Sequence, residues 1–258
     1  MKINDTEYGI SRLKTGINGL DELLEGGFPE GSTVVVTGTP GSGKSIFGMN
    51  FIAEGCKNGK KCLYITVEQL ADELVKQAMQ FGWDFNQWEK EGKLKIVSLS
   101  SQKLFEMNAI SDIRQQVEEN HYDRVVIDSI TSLVYAPFTI HSIVDGADRG
   151  LQPRALIEMS RAEVISLIDL LQYNGITTIV TSQKVEGMPG DTYDNVSEFK
   201  GDGLVVLNSA AIGRTLNRTL QVKKLRKTKI DGVPHEFEFT KDGITLIPGE
   251  LLEYAGQR

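Results

Sequence analysis

The sequence predicts an α/β fold: a mostly parallel, twisted sheet flanked by helices, with an antiparallel β extension at the C-terminal end. Three observations predict it. Apolar runs of strand length alternate with helical stretches as far as residue 181, the pattern of β-α-β units. The runs Tyr64-Ile65-Thr66-Val67 and Val125-Val126-Ile127 each end at a carboxylate, Glu68 and Asp128, which a parallel sheet would carry to its carboxyl edge. After Gly203 the pattern turns β-rich.

The elements follow in order. Residues 11–31 hold a short helix, Gly19–Leu24, closed by Gly26-Gly27. The strand Val34–Thr37 runs into a glycine-rich turn, and the helix Ile46–Cys56 runs out of it. Asn58-Gly59 reads as a turn. The strand Lys61–Val67 leads to a helix over Ala71–Phe81, then a loop holding Trp83 and Trp88. Leu94–Leu99 is a strand, Ile110–Asn120 a helix, Arg124–Asp128 a buried strand, Ala155–Tyr173 the longest helix and Ile176–Thr181 another buried strand. The β-rich end comprises Leu204–Leu207, Arg214–Lys223 and Glu236–Phe239, which turns at Lys241-Asp242-Gly243 into Ile244–Ile247. Two stretches lack apolar pattern, Ala136–Gln152 (with Arg149, followed by Arg154) and Val185–Asp202; long loops of this kind are usually functional or disordered. No linker, repeat or low-complexity tract divides residues 1–258, which read as one domain.

Composition narrows the function classes. The chain of 258 residues carries a formal net charge of −7, which argues against a general polyanion-binding surface and leaves room for a local basic patch. Cys56 and Cys62 have neither metal nor redox spacing, so a reduced, cytoplasmic setting is expected. The N-terminal MKINDTEYGI lacks the apolar core of a signal peptide, and no run approaches a membrane span. His121, His141 and His235 are scattered without ligand spacing.

The run Gly38-Thr39-Pro40-Gly41-Ser42-Gly43-Lys44-Ser45 fits the phosphate-binding pattern G-x-x-x-x-G-K-[ST], with a strand before it and a helix after it. Its glycines let successive N–H groups converge on one anion, and the helix N-terminus adds its positive end. Thr39, Pro40, Gly41, Ser42, Gly43, Lys44, Ser45 and Ile46 are thus the candidate cradle. Lys44 is placed to reach the β- and γ-phosphates and Ser45 to hold Mg²⁺. Asp128 could hold Mg²⁺ through a water, or simply cap a turn. Glu68 could deprotonate an attacking water, or serve the N-terminus of the next helix. Gln183, after the strand Ile179–Ser182, could sense a γ-phosphate, or be an ordinary loop residue. The basic run Lys223–Lys229 admits three readings: a cation offered to a neighbouring subunit, a nucleic-acid contact, or a solvated edge strand.

With these residues in place, the chain resembles the KaiC-like branch of the RecA superfamily of ATPases and is similar to single-domain archaeal RadA paralogs. The likeness covers nearly the whole chain. It rests on Thr15-Gly16-Ile17-Asn18-Gly19-Leu20-Asp21-Glu22-Leu23-Leu24 with Gly26-Gly27-Phe28-Pro29, and on Gly43-Lys44-Ser45 continuing into Ile46–Phe51. It implies a RecA-like phosphate-loop ATPase core that binds ATP and Mg²⁺. It implies Glu68 as general base and Asp128 on the metal. Where KaiC-like domains often carry a second acid, this chain has Gln69. Thr181-Ser182-Gln183 is more similar to the γ-phosphate sensor of RadA and RecA. Lys224 and Arg226 match the K-x-R element that senses ATP across a subunit boundary, which implies a ring or stacked homo-oligomer. The loops after Tyr135 and Lys184 stand where RecA proteins place DNA-facing loops. The use this favours is an accessory ATPase that binds single-stranded DNA and modulates recombination or repair beside a RadA-type recombinase. The alternatives are a KaiC-like signalling ATPase or autokinase acting through protein partners, and an assembly module that scarcely hydrolyses ATP.

Overall fold

The computed structural model describes residues 9–99, 109–135, 153–184, 190–194, 197–212 and 215–249. The first half contains β1 (Arg12–Leu13), α1 (Leu20–Leu23), β2 (Phe28–Pro29), β3 (Thr33–Gly38), α2 (Lys44–Lys57), β4 (Cys62–Thr66), α3 (Ala71–Met79), α4 (Phe85–Lys90) and β5 (Leu94–Ser98). Then come α5 (Ala109–Glu119), β6 (Arg124–Asp128), α6 (Pro153–Tyr173), β7 (Thr177–Gln183) and α7 (Ser197–Lys200). The chain ends in β8 (Gly203–Ile212), β9 (Thr215–Leu225), β10 (Pro234–Thr240) and β11 (Gly243–Leu246).

Among the described residues, nine strands form one sheet in the order β11-β10-β9-β8-β3-β7-β6-β4-β5. The six strands from β8 to β5 pair in parallel, and β9, β10 and β11 add on antiparallel beyond β8. This is the fold class that the alternation of elements predicts. Register brings Gly38 level with Gln183, and Thr66 level with Asp128. The ends of β3, β7, β6 and β4 therefore lie along one carboxyl edge, where α/β sheets bind ligands.

The central strands β3, β4, β6 and β7 are buried almost without interruption because both faces are covered. Successive side chains alternate between faces. Val34, Val36, Tyr64, Val126 and Ile179 join the core under α2, α3 and α4, whereas Val35, Leu63, Ile65, Val125, Ile127 and Val180 join the core under α5 and α6. The N-terminal signature has a structural cause. Asp21 Oδ1 accepts from both the amide and the hydroxyl of Thr15 at 2.7 Å, and Asn50 on α2 donates to Gly16 O at 2.9 Å. Asn50 Oδ1 also accepts from the Ile244 amide at 2.9 Å. One side-chain amide on the phosphate-loop helix thus joins the segment before α1 to strand β11.

Several elements differ from their predicted form. The stretch of Trp83 and Trp88 holds helix α4, which Asp84 caps by accepting from the Gln87 amide at 2.9 Å. The aspartate three residues before a glutamine was a helix-start signal that the aromatic content obscured. Helix α2 begins at Lys44, not Ile46, because the phosphate loop is itself its N-terminus. Residues 130–135 are helical directly after β6. The hairpin β8–β9 is longer than predicted at both ends, and α7 lies within the second patternless stretch. The first such stretch, 136–152, lies outside the described residues, as do 185–189 and 195–196 of the second. Among the described residues no helix is long and apolar enough to cross a membrane.

Candidate phosphate-binding site

The loop from Gly38 to Ser45 leaves β3 between β7 and β8 and enters the 14-residue helix α2. Two glycines are fixed by their surroundings. A Cβ on Gly38 would lie 2.3 Å from Leu207 O, and one on Gly43, at φ +105°, would lie 2.7 Å from the Phe239 ring. The loop therefore follows a backbone path that no larger residue permits. Lys44 Nζ donates to Gly38 O at 2.9 Å and Thr39 O at 3.0 Å. Burial lowers the pKa of Lys44, while the charges of Asp128 and Glu68 oppose that shift. Ser42 Oγ is buried without a hydrogen-bond partner among the described residues. Ser45 and Ile46 occupy the first turn of α2, and Thr39, Pro40 and Gly41 line the outer lip.

Asp128 ends β6 and is 7% exposed. Both its oxygens are held: Oδ2 accepts from Tyr64 Oη at 2.9 Å, and Oδ1 accepts a short bond from Thr181 Oγ1. Tyr64 is fully buried, and burial together with the Asp128 charge pushes its pKa well up, so its hydroxyl stays a donor. Neither partner was found from sequence. Their signal is the polar atom that a buried strand residue, Tyr64 or Thr181, carries into an apolar run.

Glu68 follows β4 at the same edge. The Val67 amide donates to Asp128 O at 2.7 Å, which fixes the turn against β6. The carboxylate is exposed, yet its Oε1 accepts from Ser129 Oγ at 2.7 Å, Ser132 Oγ at 2.9 Å and Gln183 Nε2 at 3.2 Å. Glu68 and Gln183, which sequence left as separate candidates, are therefore in direct contact. Gln69 contributes its backbone: the carbonyl accepts from Thr66 Oγ1 and Ser98 Oγ, each at 3.1 Å, and the amide lies 3.1 Å from Thr66 Oγ1 as a donor.

Lys224 and Arg226 are elsewhere. Lys224 pairs with Leu204, level with Val35, and Leu225 pairs with Gly203, level with Val34. At about 3.3 Å per residue, this is the amino end of β3, roughly 10 Å or more along the strand from Gly38. Lys224 Nζ donates to Gly201 O at 2.7 Å and Glu198 O at 3.3 Å, and Arg226 Nη1 meets Asp202 Oδ1 at 3.0 Å. Burial, then the charge of Arg226, lowers the pKa of Lys224. Lys223 pairs with Asp191 at 2.9 Å.

The residues present fit a nucleotide triphosphate with a hard divalent cation. The loop offers a buried orphan hydroxyl, and an ammonium resting on backbone carbonyls that a phosphate would replace. One hydroxyl, Ser45, and one carboxylate, Asp128, make the kind of sparse oxygen set that suits Mg²⁺ where phosphates and waters supply the rest. No cluster of three or more metal-binding side chains occurs among the described residues, so a cage made by protein alone is not what the edge offers.

Comparison with known proteins agrees with this geometry. A family model described as the KaiC ATPase matches residues 13–250. A UPF0273 protein of Thermotoga maritima is 33% identical, over 93% of this chain and 98% of its own length. The circadian clock protein KaiC3 of Synechocystis is 31% identical over 97% of this chain, and this chain spans 48% of that relative; a KaiC oscillator protein of Synechococcus elongatus is likewise spanned over 46%. The chain therefore spans about half the length of the clock proteins it matches. A crystal structure of a KaiC-like protein from Pyrococcus horikoshii superposes with a TM-score of 0.76 at 32% identity, covering 93% of this chain and all of that one. With the phosphate loop, strand-end carboxylates and sheet order in the same frame, the chain belongs to the KaiC ATPase family.

Proposed function

We propose that this chain hydrolyses Mg-ATP at sites completed between copies of itself, and that it serves as a regulatory ATPase. The observation that carries the reading is the division between the two sheet edges. The phosphate loop, Asp128, Glu68 and Gln183 meet at the carboxyl edge, while Lys224 and Arg226 stand at the amino edge, too far along β3 to serve the same site. A second copy brings one edge to the other.

In this reading the loop amides and Lys44 bind the phosphates, and Ser45 and Asp128 hold Mg²⁺, which neutralises phosphate charge when bound. Glu68 takes a proton from the attacking water. The water oxygen bonds to the γ-phosphorus, and the bond from that phosphorus to the bridging oxygen breaks, its electron pair leaving with ADP. Catalysis of this kind is positioning and charge stabilisation, so cations supplied by a neighbour couple turnover to assembly.

The clock and oscillator names of the relatives support a regulatory use. The single-stranded DNA reading, with a RadA-type recombinase as partner, rests on the basic run and the two loops. Of that run, Lys223, Lys224 and Arg226 are engaged within the chain, and DNA, like a neighbour's nucleotide, has to draw Lys224 and Arg226 from those partners. Salt-sensitive anisotropy shifts of single-stranded DNA, enhanced by Mg-ATP, would restore the DNA reading.

The main test is complementation. A Lys44→Ala subunit keeps the cations and lacks the phosphate site. A Lys224→Ala/Arg226→Ala subunit keeps the phosphate site and lacks the cations. Mixing them is expected to restore phosphate release that neither shows alone. Co-assembly without recovery rejects the shared site. Glu68→Gln is expected to retain nucleotide and stop turnover.

A further inference from the structure

We propose that the hydroxyls of Ser129 and Ser132 are positioning groups for hydrolysis, anchoring one oxygen of Glu68 so that the other receives the proton of the attacking water. The inference rests on Glu68 being the base and deepens that reading. All three donors converge on Oε1: Ser129 Oγ at 2.7 Å, Ser132 Oγ at 2.9 Å and Gln183 Nε2 at 3.2 Å. Among the described residues no donor reaches Oε2. An oxygen that accepts three hydrogen bonds has no lone pair left for a proton, so the proton is directed to Oε2.

The anchor has a rigid mount. Ser129 directly follows Asp128 and is 1% exposed, and Ser132 lies three residues on, in the first turn of the helical segment after β6. The two hydroxyls are 3.0 Å apart, and the Ser132 amide donates to Ser129 Oγ at 3.3 Å. A free glutamate at this exposed position would sample several rotamers. The serine pair holds it to the strand end that carries Asp128, so base and metal-side carboxylate move as one body. The serines also divide labour with Gln183. When the glutamine amide turns toward a γ-phosphate, Glu68 loses one of its three donors, and the serine hydroxyls keep the carboxylate aimed. Pre-organisation of this kind is where small displacements cost large factors in rate.

The test uses full-length protein and four variants: Ser132→Ala, Ser129→Ala/Ser132→Ala, Ser132→Thr and Glu68→Gln. The readouts are kcat for Mg-ATP hydrolysis and Kd for a fluorescent ATP analogue. The Ser132→Ala variant is expected to lose about threefold to tenfold in kcat, and the double variant about tenfold to a hundredfold. Nucleotide affinity is expected to stay within about twofold, and Ser132→Thr, which restores the hydroxyl, to recover most of the rate. Ser132 is partly exposed, so its single variant decides the matter even if the double variant fails to fold. Wild-type kcat in the serine variants, with Glu68→Gln inactive, overturns the anchoring role and leaves the base in place. Parallel loss of affinity and rate without rescue by threonine also overturns it, since that marks a purely structural serine. An active Glu68→Gln removes the base itself, and the anchor with it.

Discussion

Replacing Tyr64 with phenylalanine tests whether the buried carboxylate of Asp128 depends on its fixed donors. The ring fills the same space and the change deletes one oxygen, so little cavity term arises. The deletion removes the 2.9 Å bond to Asp128 Oδ2 inside a core where Tyr64 is fully buried and Asp128 is 7% exposed. A hydrogen bond to a charged group is worth about 1.5–3 kcal/mol, and a buried carboxylate oxygen left short of a donor pushes the cost toward the upper half of that range. About 2 kcal/mol is the expected loss, which for a chain of this size lowers Tm by roughly 4–8 °C. Thermal melting with and without Mg-nucleotide measures it. A double-mutant cycle assigns it: in an Asp128→Ala background the same change is expected to cost less than about 0.5 kcal/mol, because the acceptor is gone. An equal cost in both backgrounds would show that the hydroxyl stabilises something other than Asp128 and would refute the reasoning.

Three further outcomes follow from the same contacts. Lys44→Ala is expected to abolish tight nucleotide binding by titration calorimetry, since no other side chain of the loop carries a positive charge. Gly43→Ala places a Cβ 2.7 Å from the Phe239 ring at φ +105°; it is expected to reduce both stability and nucleotide affinity, and Phe239→Leu in the same chain to recover only part, because roughly 1–3 kcal/mol of backbone strain persists. At Asp191, burial alone would raise the pKa, but hydrogen bonds and charge from Lys223 and Lys184 outweigh it and hold the pKa below 3.8. Its contribution to stability is then present above the unfolded-state value and lost as pH falls through the folded one, so Asp191→Asn is expected to lower denaturation midpoints at neutral pH and to leave them nearly unchanged at strongly acidic pH.

The parts of the molecule legible in the sequence are those that local chemistry dictates. The glycines of the phosphate loop and the short, β-branched-rich runs of β4, β6 and β7 leave little choice of backbone, and the carboxylates that end the β4 and β6 runs follow from them. What stayed hidden depends on pairing between distant segments. Tyr64 and Thr181 look like ordinary strand residues until register places both beside Asp128. Ser129 and Ser132 gain meaning only once β4 and β6 end side by side and Glu68 swings over them. The surroundings of the basic run were hidden in the same way. Its charges are contiguous in sequence, but Asp191, Asp202 and the carbonyls of Glu198 and Gly201 lie across from them in space and take up much of that charge.

The two edges of the sheet are joined through a single strand. At its carboxyl end β3 opens into the phosphate loop, and at its amino end the Thr33 amide donates to Asp202 Oδ2 at 3.0 Å. The same Asp202 accepts from Gln172 at 2.8 Å and pairs with Arg226, and its backbone carbonyl accepts the Arg226 amide at 2.9 Å. In the proposed assembly, what a subunit receives at its phosphate loop and what it offers to a neighbour therefore sit at opposite ends of one buried rod, 0% exposed along Val34, Val35 and Val36. A packed strand of that kind does not stretch or bend cheaply, so a shift at the loop has to be answered at the other end. Asp202→Ala removes the carboxylate that holds Arg226 and the Thr33 amide at the amino end and leaves the phosphate loop untouched. Such a variant is expected to bind nucleotide normally and to fail as a cation donor when mixed with subunits lacking Lys224 and Arg226, whereas full donor activity would show that the Asp202 anchor does not position the cations.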